Sequence, residues 1–108
     1  MIKGEVWLVE FPFADGHEQI GTRPVIIIAD TKVNICIVVP LTSNLQALRF
    51  PYTIEINPSR KNGLREISVA LTFQVRAIDK KRLIKKLGKI EMNVLKEIDL
   101  MLKNLLDI

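Results

Sequence analysis

The stretch "RPVIIIADTKVNICIVVPLT", residues 23–42, decides how this chain folds. It holds two runs dense in β-branched residues, Arg23–Asp30 and Asn34–Leu41, with only Thr31-Lys32-Val33 between them. Branching at Cβ stiffens the side chain and suits the pleated surface of a strand, and so short a break forces the second run back along the first. The result is an antiparallel hairpin. In a hairpin the start of the first strand lies beside the end of the second, which brings Arg23 near Thr42.

Outward from this pair, Glu5–Phe11, Tyr52–Ile56 and Ile67–Phe73 also read as strands. Pro12, Asp15-Gly16, Asn57-Pro58 and Asn62-Gly63 mark turns, because proline fixes φ while glycine and asparagine tolerate positive φ. Short strands joined by tight turns predict a mostly antiparallel sheet that curls into a small barrel and so removes its edges. The end of the chain differs. Val94, Leu95, Ile98, Met101, Leu102, Leu105 and Leu106 recur at helical spacing, which predicts an amphipathic C-terminal helix and a mainly β fold with α. Lys80–Ile90 fits a helical turn or a strand equally well on periodicity; we assign a turn near Lys80–Arg82 and then a short strand.

The length of 108 residues and 48% hydrophobic content describe a single domain, 1–108, with one packed core. The longest apolar runs, "VIIIA" and "ICIVVPL", fall far short of the ~20 residues of a membrane span. Met1-Ile2-Lys3-Gly4-Glu5 lacks the apolar core of a secretory signal, so a cytoplasmic location is expected, with no membrane partner. The single cysteine, Cys36, lies within an apolar run and reads as core. A formal charge of +4 and a pI near 9.4 favour polyanions as partners. The densest basic segment, Lys80 to Lys89, is interleaved with aliphatic residues and not with aromatics, which reads as a solvated face without a stacking platform for bases.

Zinc and redox-metal sites need several His or Cys ligands, and this chain has one of each. A carboxylate site for magnesium stays open. No glycine-rich phosphate loop precedes a helix, and no cofactor is expected. The remaining polar candidates gather at strand ends: His17, Glu18, Gln19, Thr22 and Arg23, and then Thr42, Ser43 and Asn44. An arginine beside hydroxyls and a histidine suits phosphodiester chemistry, since guanidinium binds non-bridging phosphate oxygens and stays charged as negative charge builds. RNA carries its own nucleophile, the 2′-hydroxyl, so a base, an acid and charge stabilisation complete the requirement and metal is dispensable. The same residues also read as a capped turn in which Arg23 pairs with Glu18.

"GEVWLVEFPF" at 4–13, "GHEQIGTRPVIII" at 16–28, "VVPLTSN" at 38–44 and "VRAIDKKRLIKKLGKI" at 75–90 resemble the MazF/PemK family of toxin endoribonucleases, in the same order across nearly the whole chain. The resemblance implies a small SH3-like barrel with a C-terminal helix and a homodimer. It also implies cleavage of single-stranded RNA (mRNA) at a short sequence without metal, and a cognate acidic antitoxin that covers the RNA groove. By motif it makes Arg23 the transition-state stabiliser or acid and Thr42 the hydroxyl that positions the phosphate, with His17 contacting RNA or taking the 2′-proton. Ser43 assists, Glu18, Gln19 and Thr22 hold the loop in shape, and Gln74 lines the groove at a strand end. Asn44 continues the "LTS" wall, and Arg49 would meet antitoxin carboxylates.

One departure stands out. PemK-type members carry an arginine and an aspartate as acid and base in the strand before this glutamine, where this chain has Leu71 and Phe73. Either Arg23 and Thr42 suffice with help from His17 or Glu18, or the copy is degenerate and only binds an antitoxin. A third reading is a non-enzymatic toxin resembling CcdB, but the ending "KNLLDI" lacks the aromatic tip on which such binders rely.

Overall fold

The computed structural model describes residues 1–11 and 21–108; the expected turns at Pro12 and Asp15-Gly16 and the candidates His17, Glu18 and Gln19 lie outside the described residues. Strands β1 (Glu5–Phe11), β2 (Gly21–Asp30) and β3 (Ile35–Thr42) form an antiparallel meander. After a 3-10 turn at Leu45–Arg49, β4 (Thr53–Ile56) and β5 (Ser68–Leu71) pair with each other, and β5 lies along the end of β3. Further 3-10 turns at Thr72–Gln74 and Lys80–Arg82 flank β6 (Arg76–Asp79), after which come β7 (Leu83–Lys89) and the helix α1 (Met92–Leu106). The strands follow the order β4-β5-β3-β2-β1-β7, with β6 paired to the first half of β3.

The expected hairpin is β2–β3, with Val25 opposite Pro40 and Ile26 opposite Val39. The strand expected at Ile67–Phe73 is shorter. Leu71 ends it, because the Val75 amide donates to the Thr72 carbonyl at 3.1 Å, which tightens the chain into a 3-10 turn. Strand β6 was not anticipated: Arg76 and Ala77 are both exposed, so its sequence shows no alternation, and pairing with β3 holds it. The turn and strand assigned to Lys80–Ile90 are the 3-10 turn and β7. The expected barrel is only approximate. Among the described residues no ladder joins β4 to β7; the segment 57–67 lies against β7 instead, with the Lys89 amide 2.8 Å from the Lys61 carbonyl oxygen.

Two apolar clusters occupy the two faces of the sheet. On one face Val6, Ile26, Val39 and Leu41 pack against Leu95, Ile98 and Leu102 of α1, whose i, i+3, i+7 spacing puts them on one stripe. On the other, Val9, Val25, Ile27, Val38 and Ile78 enclose Cys36. No described helix is long and apolar enough to cross a membrane.

Candidate nucleic-acid interface

The register of the hairpin sets the site. Val25 faces Pro40, so continuing the same register two residues places Arg23 across from Thr42, where the strands run out. Thr42 is held in place locally: its Oγ1 accepts from the Asn44 amide at 3.2 Å, and the Asn44 Oδ1 accepts from the Gln46 amide at 3.1 Å, opening the 3-10 turn. Asn44 therefore acts as a cap. Ser43, exposed between them, carries a hydroxyl committed to none of the described partners.

Alternation of the pleat divides these residues between the two faces. Arg23 pairs with buried Val9 and so projects on the face of the Cys36 cluster, while Thr22 and Pro24, one position either side, belong to the opposite face with Leu8. On the Arg23 face stands a group that sequence reasoning missed. Arg76 of β6, opposite Val38, lays its guanidinium 5.2 Å from the centre of the Phe11 ring, and Phe11 is the last described residue before Gly21. Phe11 pairs with Gly21, two residues from Arg23, which puts the two arginines on one face. The signal available in the sequence was "VRAID", but without β6 its arginine had no placed partner.

The opposite face opens into a cleft of about 440 Å³. Thr22, Arg23, Thr42 and Ser43 lie along its wall, and Leu8, Pro24, Leu41, Leu64 and Leu87 give it an apolar floor. Arg65, Glu66 and Lys85 complete the rim. The cleft thus reaches the sheet end where Arg23 and Thr42 meet. Among the described residues no three His, Cys, Asp or Glu side chains are grouped to hold a metal ion.

Arg49, Gln74, Leu71 and Phe73 fall elsewhere. Arg49 stacks its guanidinium 5.1 Å over the Phe50 ring, and Phe50 meets Phe73 with ring centres 5.8 Å apart. Gln74 is exposed at the end of a 3-10 turn and not of a strand, because β5 stops at Leu71. Leu71 is buried with Ala47 and Val69, so the position held by arginine in PemK-type members is core here.

A family model for PemK-like, MazF-like toxins of type II toxin–antitoxin systems matches residues 2–106. Among solved structures, MazF from Deinococcus radiodurans is 24% identical, with a TM-score of 0.78 over 98% of this chain and 96% of that one. A MazE–MazF structure from the same organism is 25% identical, with a TM-score of 0.75 over 98% and 95%. An endoribonuclease in complex with its cognate antitoxin from a Mycobacterial species, 18% identical, gives 0.71 over 100% and 94%.

Proposed function

The chain belongs to the PemK-like, MazF-like toxins of type II toxin–antitoxin systems, and on that premise we propose that it is a sequence-specific endoribonuclease that cleaves single-stranded RNA. The observation that carries the reading is Arg23 set across from Thr42 at the open end of the β2–β3 hairpin, with Arg76 on the same face as Arg23. The guanidinium of Arg23 pairs with the non-bridging oxygens of the scissile phosphate and remains charged as the pentacoordinate state forms. The Thr42 hydroxyl fixes the phosphate by donating to it while its own lone pair holds the Asn44 amide. Attack by the 2′-oxygen forms the O2′–P bond and breaks the P–O5′ bond. The products are a 2′,3′-cyclic phosphate and, once the leaving O5′ takes a proton from the solvent, a 5′-hydroxyl. His17 or Glu18 takes the 2′-proton, and Glu18, Gln19 and Thr22 shape the loop around it. Because the nucleophile belongs to the substrate, the reaction proceeds without metal.

Three further properties go with this activity. The chain works in the cytoplasm, where mRNA is. It forms a homodimer, for which Leu45, Leu48, Phe50 and Phe73, all exposed, supply an apolar surface. It is silenced by an acidic antitoxin laid across the cationic groove, as the solved MazE–MazF structure motivates. The experiment is incubation of the protein with mixed-sequence single-stranded RNA in EDTA. Cleavage to cyclic-phosphate ends is expected; intact RNA would refute the reading, and gyrase inhibition alongside intact RNA would favour a CcdB-like binder.

A further inference from the structure

The cleft behind the Arg23–Thr42 pair has features that phosphodiester chemistry alone does not require. Its floor is aliphatic, its rim carries two cations and one carboxylate, and it is continuous with the sheet end where the scissile phosphate is proposed to lie. Its volume of about 440 Å³ falls in the range of pockets that enclose small organic ligands. Lys85, Leu8 and Pro24 occupy one row across β7, β1 and β2, so Lys85 starts about 10 Å from Pro24, two strand spacings away.

The far wall is rigid. Segment 57–67 is organised by Asn62, which is fully buried and accepts from the Ser59 and Leu64 amides at 3.0 Å each. Its Nδ2 donates to the Asn57 carbonyl at 2.9 Å and to the Glu91 carboxylate at 3.1 Å. Gly63 presses its backbone against β7 at φ +72°; a Cβ there would stand 2.1 Å from the Leu87 carbonyl oxygen. The residues that follow this locked turn are Arg65 and Glu66, both exposed at the rim, and among the described residues no ion pair or hydrogen bond engages their side chains or that of Lys85. The wall is thus preformed, and its rim charges are free of described partners.

We propose that the cleft receives the base of the nucleotide next to the scissile phosphate, an inference that rests on the endoribonuclease reading. The aliphatic floor takes the flat face of the base, and Arg65 and Lys85 hold the phosphate beyond it. Glu66, an acceptor only when ionised, reads the base edge and favours a base that offers an amine there over uracil. Thr22 and Ser43 present hydroxyls to the ribose from the near wall. The reading assigns part of the sequence preference to the segment 57–67, outside the motifs that carry the chemistry.

The test maps cleavage sites in a random-sequence RNA pool for the wild type, Glu66→Gln, Arg65→Gln and Lys85→Gln. All three side chains are exposed, so these variants fold. Glu66→Gln is expected to lose roughly ten-fold or more of the discrimination against uracil at one position beside the cut, because an amide can donate as well as accept. Lys85→Gln and Arg65→Gln are expected each to lower the slope of log affinity against log salt by about 0.7 for an uncleavable single strand. A wild type that cleaves RNA, with variants that keep its base preference and its salt slope, overturns this inference alone. A wild type that neither binds nor cleaves RNA overturns the endoribonuclease reading and this inference with it.

Discussion

Asn62→Ala should cost this small protein a large share of its stability. The substitution strips four hydrogen bonds at once: the Ser59 and Leu64 amides lose their acceptor, and the Asn57 carbonyl and Glu91 carboxylate lose a donor. The Leu64 amide is buried and pays its full desolvation, while the other three partners are partly buried and recover some hydration. Together these amount to about 3 kcal/mol, against a total of about 5–15 kcal/mol for a typical domain. Urea unfolding followed by circular dichroism at one fixed protein concentration should show the midpoint lowered by roughly 1–3 M with unchanged slope. Asn62→Asp separates the two halves of the effect, because it keeps both acceptor bonds but sets a second carboxylate against Glu91. Burial alone would raise the Glu91 carboxyl, yet the bonds from Ser59 and Asn62 outweigh it and hold it below the usual range. In the aspartate variant that carboxyl must rise, so stability lost at neutral pH should return as pH falls and the pair takes up a proton. If Asn62→Ala stays within about 0.5 kcal/mol of wild type, the scale of an ordinary surface substitution, the segment is not held by Asn62 and the cleft wall is not rigid.

Arg23→Ala should fold normally and cleave RNA roughly 10²–10³-fold more slowly, the loss expected for one preorganised donor; wild-type single-turnover rates would remove Arg23 from the site. Asp30 is held at about 2 first by its hydrogen bond from Lys80 and then by the Lys32 amide. Because this value lies below the unfolded one of ~3.9, the contribution is complete above about pH 4 and is lost as pH falls through about 2. Lys80→Met should therefore flatten acid unfolding in that window, and an unchanged acid titration would count against the pair. Burial pushes the Cys36 thiol up, so iodoacetamide should alkylate it in denaturant but scarcely in the native protein at pH ~8; fast native labelling would contradict the packed second cluster.

What the sequence revealed follows the reach of each interaction. The β2–β3 hairpin was legible because its β-branched runs and short turn are local, and the juxtaposition of Arg23 with Thr42 came with it. The helix stripe was legible for the same reason, through spacing that depends on one element alone. Strand β6 was hidden, since its pairing with Ile35–Val38 is distant in sequence and its four residues carry no alternation. With it went Arg76, whose place over Phe11 depends on that pairing. Asn62-Gly63 announced a turn, but nothing local shows that the turn is fastened to Glu91 or that its backbone seats on Leu87. The cleft rim was illegible for that reason.

The pairing of β1 with β7, which joins Glu5 to Lys89, has a consequence for the order in which the molecule comes into being. The hairpin that bears Arg23 and Thr42 needs only the first 42 residues, and its contacts are among neighbours in the chain. Closing β1 against β7 must overcome the entropy of a loop spanning most of the polypeptide, a slow step in chains of this kind. On the ribosome, then, the Arg23–Thr42 pair can form before β7 exists to complete the cleft and cover the outer edge of β1. A product that stops short of Leu83 leaves that edge bare and the first core without Ile98 and Leu102. Interrupted synthesis would yield an open sheet prone to proteolysis instead of a finished toxin, tying activity to completion of the chain.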